Sequence, residues 1–168
     1  PLADIEVINT ELALADLDSV EKALAKAVKQ AKDNDKKVSA YKELLEQVRD
    51  ELDEGKPVRS MGLEKEQLDQ LYDLHLLTIK RTLYVANVND DGFENNPYLD
   101  AVREYAAGEG AEVVPVCAAI EAELAELDAD EKTEFLAEMG LQEPGLDRVV
   151  RAGYKLLHLQ TYFTAGVK

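Results

Sequence analysis

Apolar residues in the first third of the chain fall on a seam. Leu17, Val20, Leu24, Ala27 and Ala31 are spaced three, four, three and four residues apart, and Val38, Tyr41, Leu45, Val48 and Leu52 repeat the spacing. Side chains at those intervals share one face of an α-helix, so the pattern predicts two helices with facing apolar stripes. Asp33-Asn34-Asp35 supplies turn chemistry between them, over a connection that only antiparallel neighbours can use. A further stripe, Ile5, Ile8, Leu12 and Ala15, runs in a shifted phase and puts the start of the first helix near Asp4. Gly55, Pro57 and Gly62 break the period, and helical character resumes from Leu63 to Leu77. The expectation is a short antiparallel helical hairpin of coiled-coil type, followed by another helix.

After Lys80 the pattern changes. Thr82-Leu83-Tyr84-Val85-Ala86 is the short apolar run of a strand buried on both faces, and Ala111 to Val116 is a second one. Asp90-Asp91-Gly92 reads as a turn, Asn96-Pro97 as an N-cap followed by the first helical residue, and Gly108 as the end of that helix. Strand, helix and strand in this order make a βαβ unit and therefore a parallel sheet. Asp128 and Glu131 open another helix with a capping box. A last helix begins at Pro144 and is expected to bury Leu146, Val149, Val150, Tyr154 and Leu157. Thr161-Tyr162-Phe163-Thr164 reads as a strand that opens a further domain. Two parallel strands do not stand alone, so their neighbours are expected outside this chain. A first residue of Pro1 rather than Met fits that expectation. The fold class is α/β, helix-rich.

Composition narrows the function. Hydrophobic residues make up 46% of the 168, enough for a packed core. A net charge of -16 argues against a chain that binds nucleic acid or anionic membrane over its whole surface. A single cysteine, Cys117, excludes an intrachain disulfide and suits a reducing, cytoplasmic setting. No apolar run approaches the roughly 18 residues of a membrane helix, so no membrane partner is expected. The charge is uneven, however. Lys22, Lys26, Lys29, Lys32, Lys36, Lys37 and Lys42 face only Glu21, Asp33 and Asp35 around the hairpin tip. A basic tip on an acidic body suits a polyanion such as RNA, with Lys26, Lys29, Lys32, Lys36 and Lys37 the candidate contacts. The plainer alternative is that these lysines keep a surface hairpin soluble. The acidic run from Glu121 to Glu134 has no calcium-loop spacing and reads as a solvated helix face.

Ligands of open α/β sheets bind at the carboxyl ends of strands. Asn87-Val88-Asn89-Asp90 follows the first strand and Cys117-Ala118-Ala119 the second. An amide and a carboxylate three residues apart can hold a purine edge-on, and small residues let backbone N–H groups reach the base. Taken alone, Asn-x-x-Asp is a weak motif and more often a plain turn; two such loops on adjacent strands favour the base-binding reading. No Gly-x-x-x-x-Gly-Lys-Ser/Thr run occurs, so the chain has no phosphate cradle and no hydroxyl for Mg²⁺. His75 and His158 read as structural residues on apolar helical faces, and Cys117 as a small residue beside a base loop rather than a redox thiol.

Several blocks then carry a resemblance. Asn9-Thr10-Glu11-Leu12-Ala13-Leu14-Ala15-Asp16-Leu17, Tyr84-Val85-Ala86-Asn87-Val88-Asn89, Asp91-Gly92-Phe93-Glu94-Asn95-Asn96-Pro97, Val114-Pro115-Val116-Cys117-Ala118-Ala119 and Leu159-Gln160-Thr161-Tyr162-Phe163-Thr164-Ala165-Gly166 stand in order along the chain. Together they resemble the YchF (Obg-like) family of nucleotide triphosphatases. The resemblance implies a P-loop GTPase-like domain with a coiled-coil insertion, followed by a small, mostly-β TGS domain. It implies Mg²⁺-dependent hydrolysis of ATP, possible use of GTP, and association with ribosomes, which makes ribosomal RNA the polyanion for the basic hairpin tip. Residues 1–80 would be the insertion, 81–158 the C-terminal part of the nucleotide-binding domain, and 159–168 the start of the TGS domain. Asn87, Val88 and Asp90 would form the base-specificity loop, and Cys117, Ala118 and Ala119 the second base loop. Catalytic and metal-binding residues would lie before Pro1, in the missing N-terminal half of the domain. The family usually has Glu where this chain has Asp90, and Asp is what guanine-specific relatives use, so both ATP and GTP stay open. The alternative from another class is a helical RNA-, ribosome- or protein-docking module without catalysis.

Overall fold

The structure, a computed structural model, describes residues 1–30 and 36–166. It is a helix-rich α/β chain with a two-stranded parallel sheet, divided into two compact units, Pro1–Arg81 and Thr82–Lys168.

In the first unit α1 (Leu2–Gln30) packs against α2 (Lys36–Asp53). Val20, Ala27, Leu45, Val48 and Leu52 are buried at the expected seam positions, with Leu17, Leu24 and Tyr41 packed against them. The turn expected at Asp33-Asn34-Asp35, and Ala31 and Lys32 beside it, lie outside the described residues. The upstream stripe is covered only in part, with Ile5 and Leu12 half-buried. Ile8 is 61% exposed and Ala15 is exposed, whereas Ala13 and Asp16 are buried. Counting back from Leu17 by four reaches Ala13, which keeps the seam's phase, and Asp16 is buried beside Leu17 on the same face. The helical stretch expected over Leu63–Leu77 is also shorter. It contains α3 (Lys65–Leu71), opened by a reciprocal Glu64–Gln67 capping box, then a 3₁₀ turn over Tyr72–Leu74. His75 follows with φ 50, exposed, so it ends a turn instead of lying on an apolar helical face. Beyond it, Leu76 and Thr78 are buried.

In the second unit β1 (Leu83–Asn87) and β2 (Glu112–Val116) pair in parallel, from Leu83 opposite Glu112 to Asn87 opposite Val116. The crossover is α4 (Pro97–Gly108). Asn96 caps it through hydrogen bonds accepted from Tyr98 N and Leu99 N, and Pro97 takes the first position, where its missing N–H has no consequence. Gly108 is still helical; the left-handed turn is made at Gly110, with φ 66. Tyr84 and Tyr105 both donate to Glu109, fastening the start of β1 to the end of α4. Then come α5 (Ala118–Glu126), α6 (Ala129–Glu138), opened by the expected Asp128–Glu131 capping box, and α7 (Gly145–Leu156). Cys117, Ile120, Leu124 and Leu136 make a core, against which Val88, Phe93 and Phe135 pack.

Two expectations fail at the C-terminal side. α7 packs on the strands and buries Gly145 and Ala152, with Val149 half-buried, while Leu146, Val150, Tyr154 and Leu157 are 63%, 51%, 41% and 63% exposed. Helical periodicity records an apolar stripe but not whether anything covers it. Thr161–Thr164 forms no strand: residues 159–166 have no regular structure and are exposed. A strand requires a neighbour with which to exchange backbone hydrogen bonds, and the sheet of the described residues consists of β1 and β2 alone. His158, like His75, is exposed with positive φ, 53, just past a helix end.

Candidate nucleotide-base site

Parallel pairing sends both strands out at the same edge of the sheet, so the two candidate loops start side by side. Val88 N donates to Val116 O at 2.8 Å, which carries the ladder one step past the last register pair. Asn87 Oδ1 then accepts from Ala118 N at 3.1 Å and closes the gap between the loops. The first loop turns tightly: Gly92 N donates to Asn89 O at 3.0 Å. A Cβ at Gly92 would lie 3.2 Å from both the nitrogen and the oxygen of Asn89, closer than ordinary packing allows. Asn96 Nδ2 donates to Gly92 O at 3.0 Å, so one side chain both caps α4 and holds the turn.

The six residues expected at the site divide into two groups. Asn87, Asp90, Ala118 and Ala119 are exposed. Asp90 Oδ1 accepts from Asp91 N at 3.1 Å. Cys117 is 3% exposed and Val88 is half-buried, and both pack into the core below the loops. Their side chains form the floor; only their backbones are left for a ligand.

Sequence reasoning missed the supports. Glu121, expected on a solvated face, accepts from Gly145 N at 2.6 Å and from Leu146 N at 3.1 Å. It caps α7, whose own N-cap is Pro144 and has no side-chain hydrogen bond to offer. A helix that opens with Pro-Gly needs a cap from elsewhere, which is the signal that was available. Arg148 of α7 donates from Nη2 to Pro115 O at 2.9 Å, and its guanidinium lies 5.6 Å from the centre of the Phe93 ring.

The candidate RNA contacts lie in the first unit. Lys26, Lys29, Lys36 and Lys37 are exposed; Lys32 is outside the described residues. Lys22 pairs with Asp18 at 2.5 Å and Lys42 with Glu46 at 3.0 Å, so part of the basic charge is answered locally. Lys36 and Lys37 also line a groove of about 600 Å³ with Tyr41, Glu66 and Asp73. Burial, with the Asp73 carboxylate nearby, pushes the Tyr41 phenol up, so it stays protonated. Among the described residues no cluster of three His, Cys, Asp or Glu side chains is placed to hold a metal ion. No helix is long and apolar enough to cross a membrane among the described residues.

No protein-family model matches the chain. Individual proteins do. All 168 residues align at 60% identity with the ribosome-binding ATPase YchF of Haemophilus influenzae, and 99% of the chain aligns at 48% identity with that of Bacillus subtilis. The solved structure of the Schizosaccharomyces pombe YchF GTPase superposes on 99% of the chain with a TM-score of 0.87 and 26% identity. The chain is YchF-family sequence. It spans 46% of the length of each of these three proteins. Of the YchF blocks read from the sequence, Tyr84–Asn89 is β1 with its exit, and Val114–Ala119 is the end of β2 with the start of α5. Asp91–Pro97 is the turn and cap before α4, and Leu159–Gly166 is the exposed stretch after α7.

Proposed function

We propose that this chain supplies the base-recognition half of a ribosome-associated purine-nucleotide triphosphatase of the YchF type. The observation that carries the proposal is the hydrogen bond between Asn87 Oδ1 and Ala118 N, which joins the loops at the carboxyl ends of two parallel strands. With that oxygen committed to the protein, Asn87 has its Nδ2 donors for a base. Asp90 contributes a carboxylate acceptor, and the first turn of α5, at Ala118 and Ala119, contributes backbone polarity. Reaction and partner come from the relatives' names, ribosome-binding ATPase in two and GTPase in the third.

On this reading residues 1–80 are an antiparallel coiled-coil insertion, 81–158 the C-terminal part of the nucleotide-binding domain, and 159–168 the opening of a TGS domain. The phosphates and Mg²⁺ are held by residues outside this chain, and the intact protein works in the cytoplasm, where ribosomes are. The test is Asn87→Ala in the intact protein. Affinity for ATP and GTP should fall by roughly 5- to 150-fold, the equivalent of about 1–3 kcal/mol for a lost base contact in a preorganised site. Inorganic tripolyphosphate, which has no base, should bind as before. Unchanged nucleotide affinity would overturn the assignment.

The exposed Lys26, Lys29, Lys36 and Lys37 favour a second reading, in which the helical unit docks on RNA. The two are compatible: docking by one unit and base recognition by the other. If the Asn87 test fails while RNA association persists, docking alone remains.

A further inference from the structure

We infer that Arg148 is a positioning residue that sets the spacing of the two base loops by gripping Pro115 and Phe93 at once. The inference rests on the base-recognition reading above. Pro115 lies two residues before the Cys117–Ala119 loop, and Phe93 lies in the turn that ends the Asn87–Asp90 loop. Arg148 Nη2 donates to Pro115 O at 2.9 Å while the guanidinium lies over the Phe93 ring, 5.6 Å from its centre. One planar cation thus touches the backbone leading into one loop and the side chain leading out of the other.

The rest of α7 is placed to make this possible. Glu121, in the helix that the second loop opens, accepts from the first two amides of α7, at Gly145 and Leu146. A Cβ at Gly145 would lie 2.8 Å from Glu121 Oε1 and 3.0 Å from a methyl of Val116, so only glycine lets the helix approach this closely. The first turn of α7 is therefore registered on the second loop, and Arg148 reaches from it to the first.

The choice of arginine is informative. Its Nε is buried with no hydrogen-bond partner among the described residues. An unmatched buried donor costs stability, and an apolar side chain of similar length would avoid that cost. Such costs are retained where a site needs a fixed geometry. A guanidinium can stack on a ring while an in-plane N–H donates to a carbonyl; the ammonium of lysine has no plane with which to do both. Arg148 does not contact a base itself on this account. It fixes how far Asp90 stands from Ala118 and Ala119, and hence how well the two loops discriminate one purine from another.

The test uses the intact protein with Arg148→Lys and Arg148→Met, and measures affinity for ATP, GTP and inorganic tripolyphosphate. Both variants should weaken nucleotide binding on the order of 10-fold and move the ATP-to-GTP ratio by about threefold, since small displacements of positioned groups have effects of this size. Tripolyphosphate should be unaffected, and Lys should not rescue. Equal losses for all three ligands would mean that Arg148 is merely structural, and no change in any would mean that it has no role; either overturns the inference. If an Arg148 variant does not fold, Phe93→Leu removes the ring while keeping an apolar side chain, and it should shift the same ratio. Asn87→Ala, run in parallel, separates the two claims. If Asn87→Ala weakens nucleotides and the Arg148 and Phe93 variants do not, positioning falls alone. If Asn87→Ala has no effect, the base site falls and this inference with it.

Discussion

Asp16 Oδ2 lies 2.7 Å from both the backbone nitrogen and the hydroxyl of Thr78. Its Oδ1 accepts from Leu77 N, also at 2.7 Å. The Thr78 hydroxyl, donating to Asp16, in turn accepts from Val58 N at 3.2 Å. Asp16 is 3% and Thr78 2% exposed, so these groups have no water to fall back on. They fasten α1, the turn at Val58 and the segment after α3 at one buried point.

The stability of the chain should depend heavily on that point. Asp16→Ala strands two amides and a hydroxyl, and should cost about 2–4 kcal/mol. Thr78→Val, which keeps the shape and loses only the hydroxyl's bonds, should cost about 1–2 kcal/mol. Urea unfolding of the purified chain measures both. A loss below about 0.5 kcal/mol for Asp16→Ala, the size of a neutral surface change, would mean that water or a rearrangement replaces these bonds.

Asp16 also explains what the sequence could and could not reveal. The seam from Val20 onward was legible because its residues are apolar; upstream, a carboxylate on the same face looked like a change of phase. Its partners are more than sixty residues away in the chain, and periodicity does not register them. Local signals fared better: Asn96-Pro97 and Asp128–Glu131 act within one helical turn, and both caps form as read. Glu121 was misread for the same reason as Asp16, because an acidic run says nothing about a helix N-terminus delivered from Gly145. The two loops could be placed together because a βαβ crossover dictates it. The grip of Arg148 on Phe93 could not, since α7 returns to the strands only in three dimensions.

RNA association, if the lysines mediate it, should be lost by charge reversal. In the intact protein, Lys29, Lys32, Lys36 and Lys37 all changed to Glu should abolish most ribosome co-sedimentation while turnover without ribosomes stays unchanged. Each phosphate contact removed should lower the salt-dependence slope by about one. Lys36 and Lys37 share their groove with Glu66 and Asp73, so Glu there also adds like-charge repulsion. Lys26→Glu with Lys29→Glu is the cleaner pair and should give a smaller loss in the same direction. Undiminished co-sedimentation in the quadruple variant would assign the lysines to solubility.

The chain by itself should hydrolyse no nucleotide and bind it weakly. Much of the affinity and nearly all of the catalysis at such sites comes from backbone amides, a lysine and Mg²⁺ around the phosphates. No phosphate-loop sequence occurs here, and no metal-binding cluster among the described residues. Turnover of ATP and GTP by the purified chain with Mg²⁺ is the measurement. A rate matching that of the intact protein, with contaminating nucleotidase excluded, would show that this half carries chemistry of its own.

Base preference should turn on Asp90. A carboxylate in the plane of a purine can accept from both N1–H and the 2-amino group of guanine. Adenine has neither donor there, and its N1 lone pair would face a carboxylate oxygen. In a desolvated site that mismatch costs about 1–3 kcal/mol, or roughly 5- to 150-fold in affinity. Glu, one methylene longer, overshoots the position and must swing aside, which relieves the penalty against adenine. Asp90 is exposed and one of its oxygens accepts from Asp91 N, a bond between neighbours in a solvated turn that exchanges for water at little cost. Both oxygens are thus available once a base is present. The Asn96–Gly92 hydrogen bond holds the turn that follows and keeps Asp90 near the end of β1. Titrating ATP and GTP against the intact protein and its Asp90→Glu variant should move the affinity ratio toward ATP in the variant. Equal ratios in the two proteins would mean that the Asp90 carboxylate faces water with nucleotide bound and does not read the base.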